Sequence, residues 1–403
     1  MNTKTSNSTA VMNTYGRFPI VLVKGKGACV TAEDGSEYLD FTSGIATCNL
    51  GHCPEIITDA LHKQLDTLWH VSNLYHIPVQ QQLAEILTEN THFQQVFFCN
   101  SGAEANEAAI KLVKKYWSDQ KAIERNTIIT FSHSFHGRTG TTMAATAQEK
   151  IHQGFAPLTP GFQYANYNDP QALNMINTDS TAAVMLELIQ GEGGVIPAET
   201  EWVKLLCEEC QRQGIPVLID EVQSGIGRTG TFYAYEQFDI QPDIITSAKG
   251  LGSGFPIGAM LASEKFSRHF TPGTHGSTFG GNPLAATAAL ETVKIVKNES
   301  FLQSVKEQSD WFVNKLEQMA SSFNLIEEVR GKGFLIGIQL KIDAITVIKA
   351  LHDKEILTLP AGPNVLRILP PLNVRNDQLV HFANKLQEVL TEIQHNKEDE
   401  NHE

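Results

Sequence analysis

"PVLIDEVQSGIGRTG" (216–230) is an apolar run that ends in an acid and continues into glycines spaced G-x-G-x-x-G, at Gly225, Gly227 and Gly230. Its reading decides the fold. A dinucleotide-binding turn needs such glycines to join a strand directly to a helix. Here four residues separate Asp220 from Gly225, and the following "TFYAYEQFDIQPD" is a poor helix. An NAD-dependent oxidoreductase is therefore the weaker alternative, and no G-x-x-x-x-G-K-[ST] phosphate loop occurs. What remains is a buried strand carrying a carboxylate at its end.

Other short apolar runs read the same way: 95–99, 127–131, 182–188, 243–248 and 258–262. Strands buried on both faces give such unbroken runs. Helical patterns over 104–117 and 200–213 alternate with them, which predicts an α/β fold with a mostly parallel sheet flanked by helices. Ligands collect at the carboxyl ends of such strands. The residues after successive strands are "NSGAEANE", "SHSFHGRT", "IQGEGG", "EVQSG" and Lys249, so five strand ends carry polar or glycine-rich chemistry.

From about residue 296 the pattern changes to long amphipathic helices (299–321, 342–353, 376–396) with short strands at 334–340 and 365–369. This predicts a large domain over 56–295 and a smaller α+β domain over 296–403. Residues 1–55, with a hairpin around Asp34-Gly35, are expected to pack with the smaller one. The tail "HNKEDENHE" reads as frayed and solvated.

Composition narrows the function. The 403 residues carry 31 basic and 45 acidic side chains, a net charge of -14. That balance disfavours nucleic-acid binding, and anionic substrates would have to be met by a few local arginines. No apolar run approaches the roughly eighteen residues of a membrane span. The polar start "MNTKTSNSTAVM" lacks the apolar centre of a signal peptide. Six cysteines without a repeated spacing point to a reducing compartment, the cytoplasm. Cys207 and Cys210 form a single C-x-x-C within a helical pattern, too little for a metal site.

Each candidate residue also has an ordinary reading. Ser101 with Glu104 makes a capping box, which could be only a good helix start. With Gly102 it could equally hold a phosphate at the helix N-terminus. Asp220 needs a cationic or donor partner, either a structural arginine such as Arg228 or a protonated ring nitrogen. Lys249 alone could be a snorkelling side chain; enclosed, it would be an amine with a lowered pKa. Glycines after Lys249 would leave room for a ligand. Arg138 and Arg367 could be ordinary ion pairs or bidentate carboxylate anchors, and Glu192 could neutralise one of them. His136 reads as packing beside Phe135. Together, a phosphate cradle, an acid for a ring nitrogen, a stacking aromatic and an amine fit pyridoxal 5'-phosphate.

These motifs resemble the class III, fold-type I aminotransferases of pyridoxal phosphate: "NSGAEANEAAIK", "SFHGRT", "QGEGG", "LIDEVQSGIGRTG", "ITSAKGLGSGFPIGA" and "HGSTFGGNPLA". The resemblance runs from about Tyr15 to residue 390. It implies that Lys249 holds the cofactor's aldehyde covalently and then moves the proton. Gly102 and Ala103, with Ser101, would hold the phosphate. Phe135 would stack on the ring, Asp220 would bind its nitrogen, and Glu221, Val222 and Gln223 would complete the cofactor site. Thr278 would reach the phosphate of the partner subunit in a homodimer.

The resemblance also implies a donor site formed by Arg138 and Ser277 with Tyr15 and Ile45. Arg367 would take the α-carboxylate of glutamate or 2-oxoglutarate, gated by Glu192. The implied reaction moves the δ-amine of N2-acetylornithine to 2-oxoglutarate in arginine biosynthesis. Ornithine, succinylornithine and 4-aminobutyrate stand as alternative donors. An aliphatic Ile45, where the ornithine enzymes carry an aromatic, argues against ornithine. Two positions depart from the family pattern: Ala103 stands where threonine is common, and Leu188 where proline is common.

Overall fold

The computed structural model describes residues 10–400, with side chains described through Asn396. Its centre is a seven-stranded sheet in the order Phe93–Cys99, Gly258–Ser263, Ile244–Ser247, Val217–Asp220, Thr181–Leu186, Thr127–Phe131 and Phe162–Ala165. Gly258–Ser263 runs antiparallel to both neighbours, and the other strands run parallel. This is the expected α/β architecture. Phe162–Ala165 was not foreseen, because as an edge strand it exposes Gln163 and Tyr164, buries only Ala165, and forms no apolar run.

The three central strands are buried along their whole length. Alternate residues feed opposite layers. Met185, Leu218 and Ile244 pack with Ala108, Leu112 and Tyr116 of the helix Gly102–Asp119. Val184, Leu186, Ile219 and Ile245 face the other way, toward Leu206 of Thr200–Gln213 and Ala289 of Pro283–Val296. Each such Val, Leu, Ile or Met side chain contributes about 1.5–3 kcal/mol through burial. Asp220 and Ser247 are the polar residues at the carboxyl ends of two of these strands.

A second apolar core joins the two ends of the chain. Ala28, Leu39 and Phe41 pack with Phe312, Phe334, Leu366 and Phe382. The rings of Phe41 and Phe382 stack 4.4 Å apart. The hairpin forms as expected, Cys29–Ala32 against Glu37–Asp40, with Gly35 at φ +92 in its turn. Ile356–Leu357 adds to it as a parallel strand. The final helix, Asn376–Glu400, takes in most of the tail expected to fray, and 401–403 lie outside the described residues.

The glycine-rich loop after Asp220 serves packing. No α-helix follows it; a short 3-10 turn spans Ala234–Gln237. Gly227, at φ +81, lies where a Cβ would come within 2.7 Å of Val296. The loop carries Arg228, fully buried, whose guanidinium donates to the carbonyls of Phe334 and Pro370 and to Asn49 Oδ1. Burial holds this guanidinium down to about 9. Arg228 is therefore a tie between the sheet and the second core and not the partner of Asp220. Arg228→Met should leave these acceptors without donors, at about 1–3 kcal/mol for each buried group. A loss of about 3 kcal/mol or more in urea unfolding is expected, and an unchanged midpoint would contradict the assignment.

Candidate active site

At the carboxyl ends of the strands lies a cavity of about 450 Å³. One side is the start of the helix Gly102–Asp119. Ser101 is its N-cap, and its Oγ accepts from Glu104 N at 3.2 Å. The expected capping box is half formed, since Glu104 Oε2 accepts from Asn100 N and Asn100 Nδ2 and not from Ser101. The N–H groups of Gly102 and Ala103 have no carbonyl within the helix to bond. With the dipole of an 18-residue helix behind them they form an anion cradle. Gly102 has to be glycine here: a Cβ would sit 2.6 Å from Val222 Cγ1.

Asp220 closes the floor at 4% exposure. Its Oδ2 accepts from Asn106 Nδ2 and pairs with His136 Nδ1, both at 2.8 Å, and its Oδ1 accepts from Val222 N. The protein partner of the acid is thus His136, which does more than pack beside Phe135. His136 Nε2 is buried without a hydrogen bond. Glu221 does not reach the cavity. Side chains alternate at the strand end, so its carboxylate turns away and accepts from Ala234 N, Tyr235 N and Ser224 Oγ. Burial pushes it up to about 7. It fixes the glycine loop, and the expected cofactor contact is corrected to that role.

Lys249 lines the cavity from the turn that follows the strand next to Asp220, and its side chain makes no hydrogen bond or ion pair among the described residues. Enclosure holds its ammonium below the usual lysine range; Glu192 works against this and Arg367 adds to it. Its backbone is in the left-handed region, at φ +45. The glycines that follow are mostly not ligand space. A Cβ on Gly250 would lie 2.1 Å from Asn49 Nδ2 and one on Gly252 3.0 Å from Ile257, so only Gly254 faces the cavity.

Across the cavity, Arg367 is 2% exposed and its Nη1 meets Glu192 Oε1 at 2.6 Å. The same Nη1 reaches the Gly191 carbonyl at 3.1 Å and Gln223 Oε1 at 3.3 Å. Burial tends to raise the Glu192 carboxyl, but the guanidinium outweighs it and holds the group below the ordinary glutamate range. Arg138 is different. It is exposed at the mouth, lies over the Phe135 ring at 5.6 Å, and has no carboxylate partner among the described residues.

The structure brings Ser101, Gly102, Ala103, Phe135, Arg138, Glu192, Asp220, Val222, Gln223 and Lys249 onto one wall set. Arg367 stands behind Glu192. Ser277 is one hydrogen bond away, accepting from Asn100 Nδ2 at 3.1 Å. Thr278, Tyr15 and Ile45 are exposed and do not line the cavity. Sequence reasoning missed Asn106, His136 and Glu187. Asn106 was within reach, since it falls one turn after Gly102 on the same helix face. Glu187 follows a fully buried strand; its Oε1 accepts from Phe135 N at 2.8 Å, and burial pushes its carboxyl well above the ordinary range.

An anion cradle, an acid able to hold a protonated ring nitrogen, an aromatic face and an unpaired amine surround one space. That donor set fits pyridoxal phosphate. Among the described residues, no group of three or more His, Cys, Asp or Glu could hold a metal ion, and no helix is long and apolar enough to cross a membrane.

The family model described as Aminotransferase class-III matches residues 10–390. An acetylornithine aminotransferase from Oceanobacillus iheyensis is 54% identical over 98% of both chains. Among solved structures, an N-acetylornithine aminotransferase from Stenotrophomonas maltophilia K279a is 37% identical, with a TM-score of 0.82 over 94% of this chain and 97% of that one. The ornithine aminotransferase from Toxoplasma gondii ME49 is 30% identical, with a TM-score of 0.92 over 96% and 94%.

Proposed function

The chain belongs to the class-III aminotransferases, and from that premise we propose that it transfers the δ-amine of N2-acetylornithine to 2-oxoglutarate. The products are N-acetylglutamate semialdehyde and glutamate, a step of arginine biosynthesis. One observation carries this reading: Arg138 stands at the cavity mouth with no carboxylate partner among the described residues, while Arg367 is closed by Glu192. N2-Acetylornithine has one carboxylate, and acylation of its α-amine leaves only the δ-amine to react. It needs one guanidinium, Arg138. 2-Oxoglutarate has two carboxylates, and the second would displace Glu192 to reach Arg367. The name borne by the high-identity relative supports the same donor.

Pyridoxal 5'-phosphate is the cofactor; when bound, it supplies an aldehyde that takes up the amine and a ring that withdraws electrons from the carbon losing its proton. Ser101 with the Gly102 and Ala103 N–H groups would hold its phosphate. Asp220 would hold the ring nitrogen, Phe135 and Val222 the ring faces, and Gln223 the ring hydroxyl.

Lys249 works as the base. With its pKa lowered by enclosure, it takes the proton from the donor's δ-carbon and returns it at the other end of the reacting system, on the same face. Phe135 keeps water from that amine. Glu192 keeps Arg367 neutralised while the monocarboxylate donor is bound, then swings aside for the dicarboxylate.

The same reading places the enzyme in the cytoplasm, consistent with six free cysteines. It makes 1–55 with 296–403 the smaller domain against 56–295, supported by the core that Phe41 and Phe382 share. It also makes the chain a homodimer. Exposed Leu68, Trp69, Leu74, Tyr75 and Phe279 support an apolar subunit face. Thr278 beside them is free to reach the partner's cofactor phosphate.

The test is the first half-reaction, followed by absorbance, with four donors compared by rate constant over affinity. N2-Acetylornithine should exceed ornithine and 4-aminobutyrate by at least about 10-fold, because the acyl end and the single carboxylate are both read. Succinylornithine serves as the close competitor. A preference for ornithine or 4-aminobutyrate would overturn the donor assignment and leave the family unaffected.

A further inference from the structure

Asn106 is 1% exposed and lies one helical turn, about 6 Å, beyond Gly102. Its Nδ2 donates to the His136 carbonyl and to Asp220 Oδ2, both at 2.8 Å. Its Oδ1 accepts from Thr246 Oγ1 at 2.6 Å. The carbonyl and the carboxylate can only accept, so the amide has one permitted orientation. Turning it over would set Oδ1 against two acceptors and leave the Thr246 hydroxyl facing donors. Thr246 is the register partner of Asp220 on the adjacent parallel strand, three residues before Lys249.

One buried amide therefore joins four parts of the site: the helix that begins at the anion cradle, the loop carrying Phe135, the strand ending in Asp220, and the strand leading to Lys249. We propose that Asn106, oriented by Thr246, is a positioning residue that sets the distance between the anion cradle and the Asp220 carboxylate. The helix supplies a rigid spacer of one turn, and the amide pins the acid to its far end. A ligand that must satisfy both ends at once, a phosphate on one side and a protonated ring nitrogen on the other, is matched to that spacing. A ligand that uses only one end is indifferent to it. This role rests on the pyridoxal-phosphate reading above.

The experiment compares wild type with Asn106→Ala, Thr246→Val and Thr246→Ser. Apoenzyme is titrated with pyridoxal phosphate, and separately with inorganic phosphate as a competitor. Asn106→Ala should weaken pyridoxal phosphate by about 10-fold and Thr246→Val by about 3-fold, the scale of one lost hydrogen bond. Thr246→Ser, which keeps the hydroxyl, should match wild type. Inorganic phosphate needs the cradle alone and should compete equally in all four proteins. In loaded Asn106→Ala and Thr246→Val kcat should fall while KM for both substrates holds, because Arg138 and Arg367 are untouched.

Equal pyridoxal-phosphate affinity in wild type and Thr246→Val would overturn the role. So would a parallel loss of pyridoxal phosphate and inorganic phosphate, which marks general damage to the site. If Asn106→Ala does not fold, the two threonine variants decide. Wild type that neither binds pyridoxal phosphate nor transaminates would fail the proposed function itself. Wild type that does both, with variants indistinguishable from it, would fail only the positioning role.

Discussion

Lys249→Ala is expected to lower turnover by at least about 10³-fold, the range for removing a group that acts as both base and nucleophile. The fold should survive. Among the described residues the Lys249 side chain makes no hydrogen bond or ion pair, and its amine is held in an enclosure that lowers its pKa. Removing it relieves that cost and deletes no tie between elements. The left-handed backbone at φ +45 is no harder for alanine than for lysine. The thermal midpoint should therefore stay close to wild type. The anion cradle and Asp220 are intact in this variant, so pyridoxal phosphate should still bind, now without a covalent hold.

Chemical rescue separates proton transfer from packing. Small primary amines added to Lys249→Ala should restore part of the rate, and among amines of equal size the recovered rate should rise with basicity. Measurement of kcat against amine pKa would show this slope. Turnover within about 10-fold of wild type, without added amine, would sink the assignment of Lys249 as the base.

The sheet and the positions of its catalytic ends were legible because buried strands have a simple signature. Val217–Asp220 and Ile244–Ser247 are buried on both faces, and a charge at such a strand's end cannot be ordinary core. The edge strand Phe162–Ala165 gives no such signal, since its middle residues Gln163 and Tyr164 meet solvent. Pairing across the sequence was less legible. Asp220 needed a donor, and sequence offered Arg228 eight residues on. The chain instead brings in His136 from another strand end, while Arg228 is spent on carbonyls of the second core.

Direction was the other weak point. In "DEV" all three residues look available to a ligand, but strand alternation sends Glu221 away from the cavity and leaves Asp220 and Val222 in it. The glycines after Lys249 mislead for a similar reason. Space for Asn49 and space for a cofactor look alike until the neighbours are known. The proposed reach of Thr278 to a second subunit is likewise not written in one chain, where Thr278 is simply exposed.

Asp220→Asn should reduce turnover by about 10²–10³-fold, as expected when a group aimed at developing charge loses that charge. The substitution keeps the shape of the side chain and removes its charge. In the native protein Oδ2 takes two donors and Oδ1 takes the Val222 N–H. An amide offers only one acceptor atom, so its NH₂ must face either the Asn106 and His136 donors or the Val222 N–H. That mismatch costs about 1–3 kcal/mol of stability, to be read from urea unfolding. The kinetic loss has a different origin. Without the carboxylate, the side chain at 220 no longer keeps a proton on the ring nitrogen, and Glu187 is held by Phe135 N. Electron withdrawal from the donor's δ-carbon weakens, and removal of its hydrogen becomes the slowest step. Deuterium at the δ-carbon should then give a larger isotope effect on kcat in Asp220→Asn than in wild type. Arg138→Ala should instead raise KM with the isotope effect unchanged, because it touches only the carboxylate. Asp220→Glu, which restores the charge with one methylene too many, should recover part of the rate. An isotope effect that stays at the wild-type value in Asp220→Asn, with turnover nearly intact, would mean that the acid serves only to pack His136.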